Sequence, residues 1–190
     1  MKKCLLLLVV LLLVSCKTPD ARRPVSQTTE SFIDQSIEHN KKLVAYEEGL
    51  IQKIIEKDTL NNYLTSNNGF WYYYRTKKTL DTITPGFGDR VVFNYNIQHL
   101  DGTPIYTTEE IDTRTYVIDQ ESLFTGLREG LKLMKEGETV TFLFPSHKAF
   151  GYYGDNKKIG VNVPIKSTVT LKSIQSGSDT INNTLKQTQP

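Results

Sequence analysis

The chain has 190 residues, 38% of them hydrophobic, with 23 basic and 21 acidic side chains and a formal net charge of +2. That length suits one domain with extensions. A charge so near balance supplies no broad positive field, which excludes nucleic-acid binding by electrostatic footprint. The two cysteines both lie in the first sixteen residues, so nothing beyond Cys16 can form a disulfide and the folded part must hold itself by its core.

Lys2 and Lys3 precede an apolar run from Leu5 to Val14 that ends in Leu13-Val14-Ser15-Cys16. A basic tip, a short apolar stretch and a small residue before the cut describe a secretory signal. The run is too short for a membrane-spanning helix, which needs roughly 20 residues. Leu-Val-Ser-Cys resembles the bacterial lipobox, whose Cys is lipidated and becomes the new N-terminus. The resemblance implies a signal peptide over 1–15 and lipid attachment, palmitate included, at Cys16. Lys17 after it fits an anchor in the outer membrane, facing the periplasm. Removing 1–15 leaves 23 − 2 = 21 basic against 21 acidic side chains. Residues 16–30, with Pro19 and Pro24 and little to bury, read as a flexible tether.

From Ser31 to about Lys57 the pattern becomes helical. Phe32, Ile33, Ile37, Val44, Ile51 and Ile55 recur at steps of three, four and seven, Leu43, Leu50 and Ile54 widen the stripe, and charges fill the other face. Ser31 and Asp34 suggest a weak capping box. Such a stripe packs on its own domain, on a second copy through 31–57, or on lipid; its mixed charges argue least for lipid. Asparagines and Gly69 break the chain over 61–69.

A run of strand patterns follows. Residues 69–77 are aromatic-rich, and 90–100 alternate Val91, Phe93, Tyr95 and Ile97 with Val92, Asn94 and Asn96. Asp101-Gly102 marks a turn. Further strands are expected at 103–108, 114–118, 138–145 and 167–174. Between them only Leu123 to Met134 reads as helix. The expectation is an α+β domain over 69–176: a mostly antiparallel sheet with one short helix, preceded by the long amphipathic one. Residues 177–190 read as a disordered tail.

Conventional reaction chemistry is hard to find. His39, His99 and His147 lie far apart and at no metal-ligand spacing. Gly86-Phe87-Gly88-Asp89 precedes a strand instead of following one, so it reads as a turn and not a nucleotide loop. No Ser occupies a nucleophile elbow, and Glu109, Glu110, Glu121 and Glu129 fall on loops or an exposed helix face. A site here would be apolar and non-covalent, with no metal or cofactor.

Three segments then carry a resemblance. GDRVVFNYNIQHLDGTPIYTT (88–108), GLREGLKLMKEGETVTFLFPSHKAFG (126–151) and VNVPIKSTVTL (161–171) resemble, in order and near-family spacing, the FKBP-type peptidyl-prolyl cis-trans isomerases. With the lipobox, the tether, the long helix and FWYYY, the whole chain looks like the gliding-motility-associated isomerase lipoproteins of that family. The resemblance implies a twisted antiparallel sheet wrapped round one short helix, with an apolar pocket between them. By motif position Tyr95 lines the pocket, Ile105 takes a wall place where the family usually has Phe, and Tyr116 is the next aromatic wall. Leu123 and Phe124 lead into the helix, with the Phe124 N–H facing the substrate carbonyl. Leu127 is the floor, and Phe150 and Leu171 close the far side. The implied partners are X–Pro segments of exported proteins.

Such an enzyme needs no nucleophile. Amide resonance opposes rotation by about 18–20 kcal/mol. An apolar pocket that grips the Pro ring and strips water from the carbonyl weakens that resonance, so the twisted state becomes relatively cheaper. Two positions depart from the family. Tyr106 stands where Asp is common, and Phe150 where the Tyr of Ala-Tyr-Gly is common, removing a hydrogen bond worth about 0.5–1.5 kcal/mol. These departures leave a non-catalytic docking or chaperone module as the second reading.

Overall fold

The computed structural model describes residues 27–177. The signal run, Cys16, the tether as far as residue 26 and the tail from 178 lie outside the described residues. Among the described residues the chain divides into two compact units, one ending at His39 and the other beginning at Asn40.

Helix α1 runs Gln27–Lys57. It begins earlier than the pattern suggests, so residues 27–30 are helical where tether was expected. Ser31 falls inside the helix and not at its start, where the capping box was expected. In the first unit Phe32, Ile33 and Ile37 stand exposed, Phe32 by 68%. The helix ends where Asp58, its N–H still bonded to the Ile54 carbonyl, turns its carboxylate to the Leu60 N–H, Asn61 Nδ2 and the Tyr63 hydroxyl. Among the described residues no helix is long and apolar enough to cross a membrane.

In the second unit the strands are β1 Leu64–Thr65, β2 Trp71–Thr76, β3 Arg90–Tyr95, β4 Ile97–His99, β5 Pro104–Tyr106, β6 Arg114–Val117, β7 Thr139–Phe144 and β8 Ile165–Gln175. Helix α2, Thr108–Ile111, lies between β5 and β6, and α3, Thr125–Leu131, between β6 and β7. All pairings are antiparallel, in the order β1-β2-β7-β8-β3-β6, with β4 joining β8 and carrying β5. The α+β expectation therefore holds, short helix and long leading helix included.

The period-two pattern of residues 90–97 sets the sheet's inner face: Val91, Phe93, Tyr95 and Ile97 are all buried. The expected single strand over 90–100 is broken at Asn96. Its side-chain oxygen accepts the Thr168 N–H at 2.8 Å and its carbonyl accepts the Ser167 hydroxyl at 2.7 Å, so side chains take over part of the ladder there. β8 is the spine of the sheet, since it pairs with β3, β4 and β7. Its inner residues Ile165, Val169 and Leu171 join Phe142 and Phe144 of β7 in the core. The rings of Phe142 and Phe144 stack at 5.4 Å, and Phe70 meets Phe144 edge-on at 5.3 Å.

β7 buries its other face too. Thr141 and Leu143 point away from that core and have no exposed surface, and Tyr73 of β2 is buried beside Thr141 in the register. In the same unit α1 buries Glu47 and Ile51, one turn apart. Glu47 accepts two hydrogen bonds from Ser146, just past the end of β7. The stripe of α1 within residues 40–57 thus belongs to its own domain.

Candidate active site

The site begins with how closely α3 approaches β7. A Cβ on Gly126 would lie 2.5 Å from the Phe144 ring and 2.7 Å from the Lys148 carbonyl oxygen; one on Gly130 would lie 2.9 Å from the Phe142 ring. Real Cβ atoms do not come so near, so two glycines four apart, on one helical face, let this short helix lie flat on the aromatic strand. Leu127 and Leu131 are then fully buried.

All nine pocket residues expected from the resemblance meet in one apolar cluster. Tyr95, Ile105, Tyr116, Leu127 and Leu171 are buried members, and Tyr106, Leu123, Phe124 and Phe150 pack against them half-buried. Phe124 is the centre of the open edge. Its ring centroid is 5.1 Å from that of Phe150 and 5.5 Å from that of Phe144, distances at which aromatic pairs attract beyond simple burial. No side chain caps the first turn of α3 at Phe124, where a helix leaves its first N–H groups without intrahelical partners. Leu127 and Leu171 have no exposed surface, so they support the edge residues from beneath.

Sequence reasoning also passed over Ala149 and Val163, which pack half-buried against this cluster, and Ile159, a buried member of it. Ile159 had a signal, since it is a lone apolar residue in the polar loop Asp155–Gly160. That loop is tied down. The Asn162 N–H donates to the Gly151 carbonyl at 2.9 Å, and the Asp155 N–H to the Ile159 carbonyl at 3.1 Å. Gly154, at φ +64, sits where a Cβ would lie 2.2 Å from the Ile159 carbonyl oxygen.

Tyr106 shows what its departure brings. Its hydroxyl donates to Asp155 Oδ2 at 2.5 Å, and Lys158 Nζ lies 4.8 Å from its ring centre while pairing with Glu110. A carboxylate is therefore present at this edge, delivered from the 151–160 loop instead of β5. The bond to Asp155, with burial second, raises the Tyr106 hydroxyl above its ordinary range. Burial pushes the Asp155 carboxyl up, but the bonds from Tyr106, Ile159 and Lys157 outweigh it and hold Asp155 below its usual range. Glu110 was expected on a loop. It instead closes a capping box with Thr107 at the start of α2, a Thr-x-x-Glu signal that sequence reasoning passed over.

Burial alone raises the Tyr95 hydroxyl, despite Arg114, and it is the main cause at Tyr116, whose oxygen accepts the Asp119 N–H. Both remain protonated at neutral pH. Among the described residues no three His, Cys, Asp or Glu side chains gather to hold a metal ion. A hollow of about 570 Å³ between Lys77–Asp81 and Glu136 has no aromatic wall. The arrangement that remains is an apolar edge of Phe124, Phe150, Leu123 and Tyr106 over a rigid floor. It can bind a ring and desolvate an amide, and it supplies no group for covalent chemistry.

Sheet, short helix and apolar edge together define a prolyl isomerase fold of FKBP type. Residues 82–172 match the family model of the FKBP-type peptidyl-prolyl cis-trans isomerases and form a domain of that type. It is 29% identical over 101 residues to a probable FKBP-type peptidyl-prolyl cis-trans isomerase, FkpA, of Neisseria meningitidis serogroup B; the match covers 53% of this chain and 37% of the relative. The chain thus spans little more than a third of that curated relative. The fold is similar to two crystal structures at a TM-score of 0.57. One is a peptidyl-prolyl isomerase of Pseudomonas syringae, 18% identical, covering 72% of this chain and 96% of its own. The other is FkpA of Escherichia coli, 20% identical, covering 93% of this chain and 84% of its own.

Proposed function

We propose that this protein isomerises X–Pro bonds in exported client proteins, working from a lipid anchor at Cys16 on the outer membrane and facing the periplasm. The observation that carries the catalytic part is the half-buried edge of Phe124 and Phe150 above the buried Tyr95, Tyr116 and Leu127. A Pro ring laid on that edge would lose water from its apolar surface, and its preceding carbonyl would lie among groups too apolar to solvate it. The twisted amide, which has less need of carbonyl hydrogen bonds, then loses less than the planar one, and the barrier between them falls. The lipobox and the likeness to gliding-motility-associated lipoproteins support envelope or surface proteins, gliding machinery among them, as the clients. The exposed Phe32, Ile33 and Ile37 support self-association through the start of α1.

Two measurements test the reading. Turnover on a proline tetrapeptide tests the activity; its absence in the intact chain would favour the docking or chaperone module, to which Phe150 and Tyr106 already point. Membrane fractionation of Cys16→Ser tests the anchor. The variant is expected in the soluble fraction, because acyl chains hold by about 0.8 kcal/mol per buried CH₂; firm retention in the pellet would remove the lipid from the account.

A further inference from the structure

The pocket edge is fixed from a place the family match does not reach. Glu47 lies on α1, outside residues 82–172, yet its carboxylate is only 2% exposed. A carboxylate so buried is tolerated only when its oxygens are bonded. Both are, and both to one residue: Oε2 accepts the Ser146 N–H and Oε1 accepts the Ser146 hydroxyl, each at 2.7 Å. Main chain and side chain of Ser146 are thus held together.

Ser146 is the first residue of a 3-10 turn, Ser146–Lys148, that leaves β7. Its carbonyl accepts the Ala149 N–H at 2.9 Å. The carbonyl of Lys148, in the same turn, presses on the first turn of α3 at Gly126. The next residue after Ala149 is Phe150, whose ring meets Phe124 at 5.1 Å. A continuous run of bonds therefore leads from Glu47 through Ser146 and Ala149 to the outermost ring of the pocket edge.

We propose that Glu47 is a positioning residue of the isomerase site: by clamping Ser146 from α1 it fixes the turn that delivers Phe150, so the leading helix is part of the working enzyme. This rests on the isomerase reading above. A mere tie between helix and sheet would stabilise the fold without changing the site, and the two roles separate experimentally. In the full chain, kcat and KM on an X–Pro peptide are measured for the parent, Glu47→Ala, Glu47→Gln and Ile51→Ala, well below their melting temperatures. Ile51 is buried one turn along the same helix, and its apolar side chain cannot hydrogen-bond to Ser146, so Ile51→Ala reports helix support without removing the clamp.

Glu47→Ala is expected to lower kcat/KM about five- to tenfold, the loss of one or two hydrogen bonds' worth of placement. Glu47→Gln, whose carboxamide can accept the N–H and donate to the hydroxyl of Ser146, should return to within about twofold of the parent. Ile51→Ala should lower the Tm at least as much as Glu47→Ala with kcat/KM within about twofold. Losses of kcat/KM that track Tm across the variants, or an unchanged Glu47→Ala, would overturn the proposal. Amide exchange gives a readout that survives if the parent has no turnover and the isomerase reading itself fails. Protection of the Ala149 N–H should fall severalfold in Glu47→Ala and hold in Ile51→Ala; equal behaviour in the two variants would overturn the clamp.

Discussion

The floor and the edge of the aromatic cluster are made of similar residues but held very differently. Tyr95, Tyr116, Leu127 and Leu171 are buried, the two leucines completely, whereas Phe124, Phe150, Tyr106 and Leu123 present more of their surface to solvent. A buried side chain contributes to stability through area removed from water and the absence of voids. A half-buried one contributes less, but it keeps surface with which to bind. The same apolar chemistry thus serves the fold below and the ligand above, and the two roles should come apart under mutation.

The largest effect is expected at the floor. Leu127→Ala opens a cavity against a fully enclosed site, and stability should fall by about 2–5 kcal/mol, read as a shift of the denaturation midpoint. Gly126→Ala probes the same packing from the opposite side. Its methyl would overlap Phe144 and the Lys148 carbonyl, and a loss of about 1–3 kcal/mol is expected by the same measurement. Substitutions at the edge should leave stability nearly intact and move activity instead. Phe150→Tyr restores the hydroxyl common at that position and should raise kcat/KM about fivefold, or about 1 kcal/mol. Tyr106→Phe frees Asp155 from the edge and should lower kcat/KM about two- to threefold with little change in Tm.

The smallest effect is expected from pH. Asp155 is held below its ordinary value of 3.8, so its contribution is present above that pH and is lost as pH falls through its folded value. Tyr106 is raised above its ordinary 10.0, so its contribution is complete below that pH and is lost only as pH rises through the folded value. The Tyr106–Asp155 bond should therefore hold from about pH 5 to 9, a window inside both limits, and by itself give activity no pH dependence there. A steep change within it would mean that another titrating group controls the edge.

How much of this was legible in the sequence follows from the range of each interaction. The alternation of Val91, Phe93, Tyr95 and Ile97 was readable because strand periodicity is local. The pocket residues followed from motif order in the resemblance, not from their chemistry, since a buried Tyr or Leu looks the same in any core. The break at Asn96 was not readable, because it depends on Ser167 and Thr168 across the sheet. Nor was β1, whose two residues form a strand only against β2. Asp155 was passed over, because its place at the edge depends on Tyr106 of β5, forty-nine positions away. Glu47 was hidden most completely: a Glu on an amphipathic helix reads as solvent-facing until Ser146, ninety-nine positions away, is brought to it.

The division between floor and edge is tested most directly by one comparison, kcat/KM on an X–Pro tetrapeptide for the parent and Phe150→Ala, with thermal melts of both. The parent should turn over. Loss of the Phe150 ring should lower kcat/KM by about tenfold or more, from the apolar contact removed, while the Tm stays within a few degrees. Equal kcat/KM in the two proteins, or a loss accompanied by a collapse in Tm like that of Leu127→Ala, would contradict the placement of the binding surface at that edge.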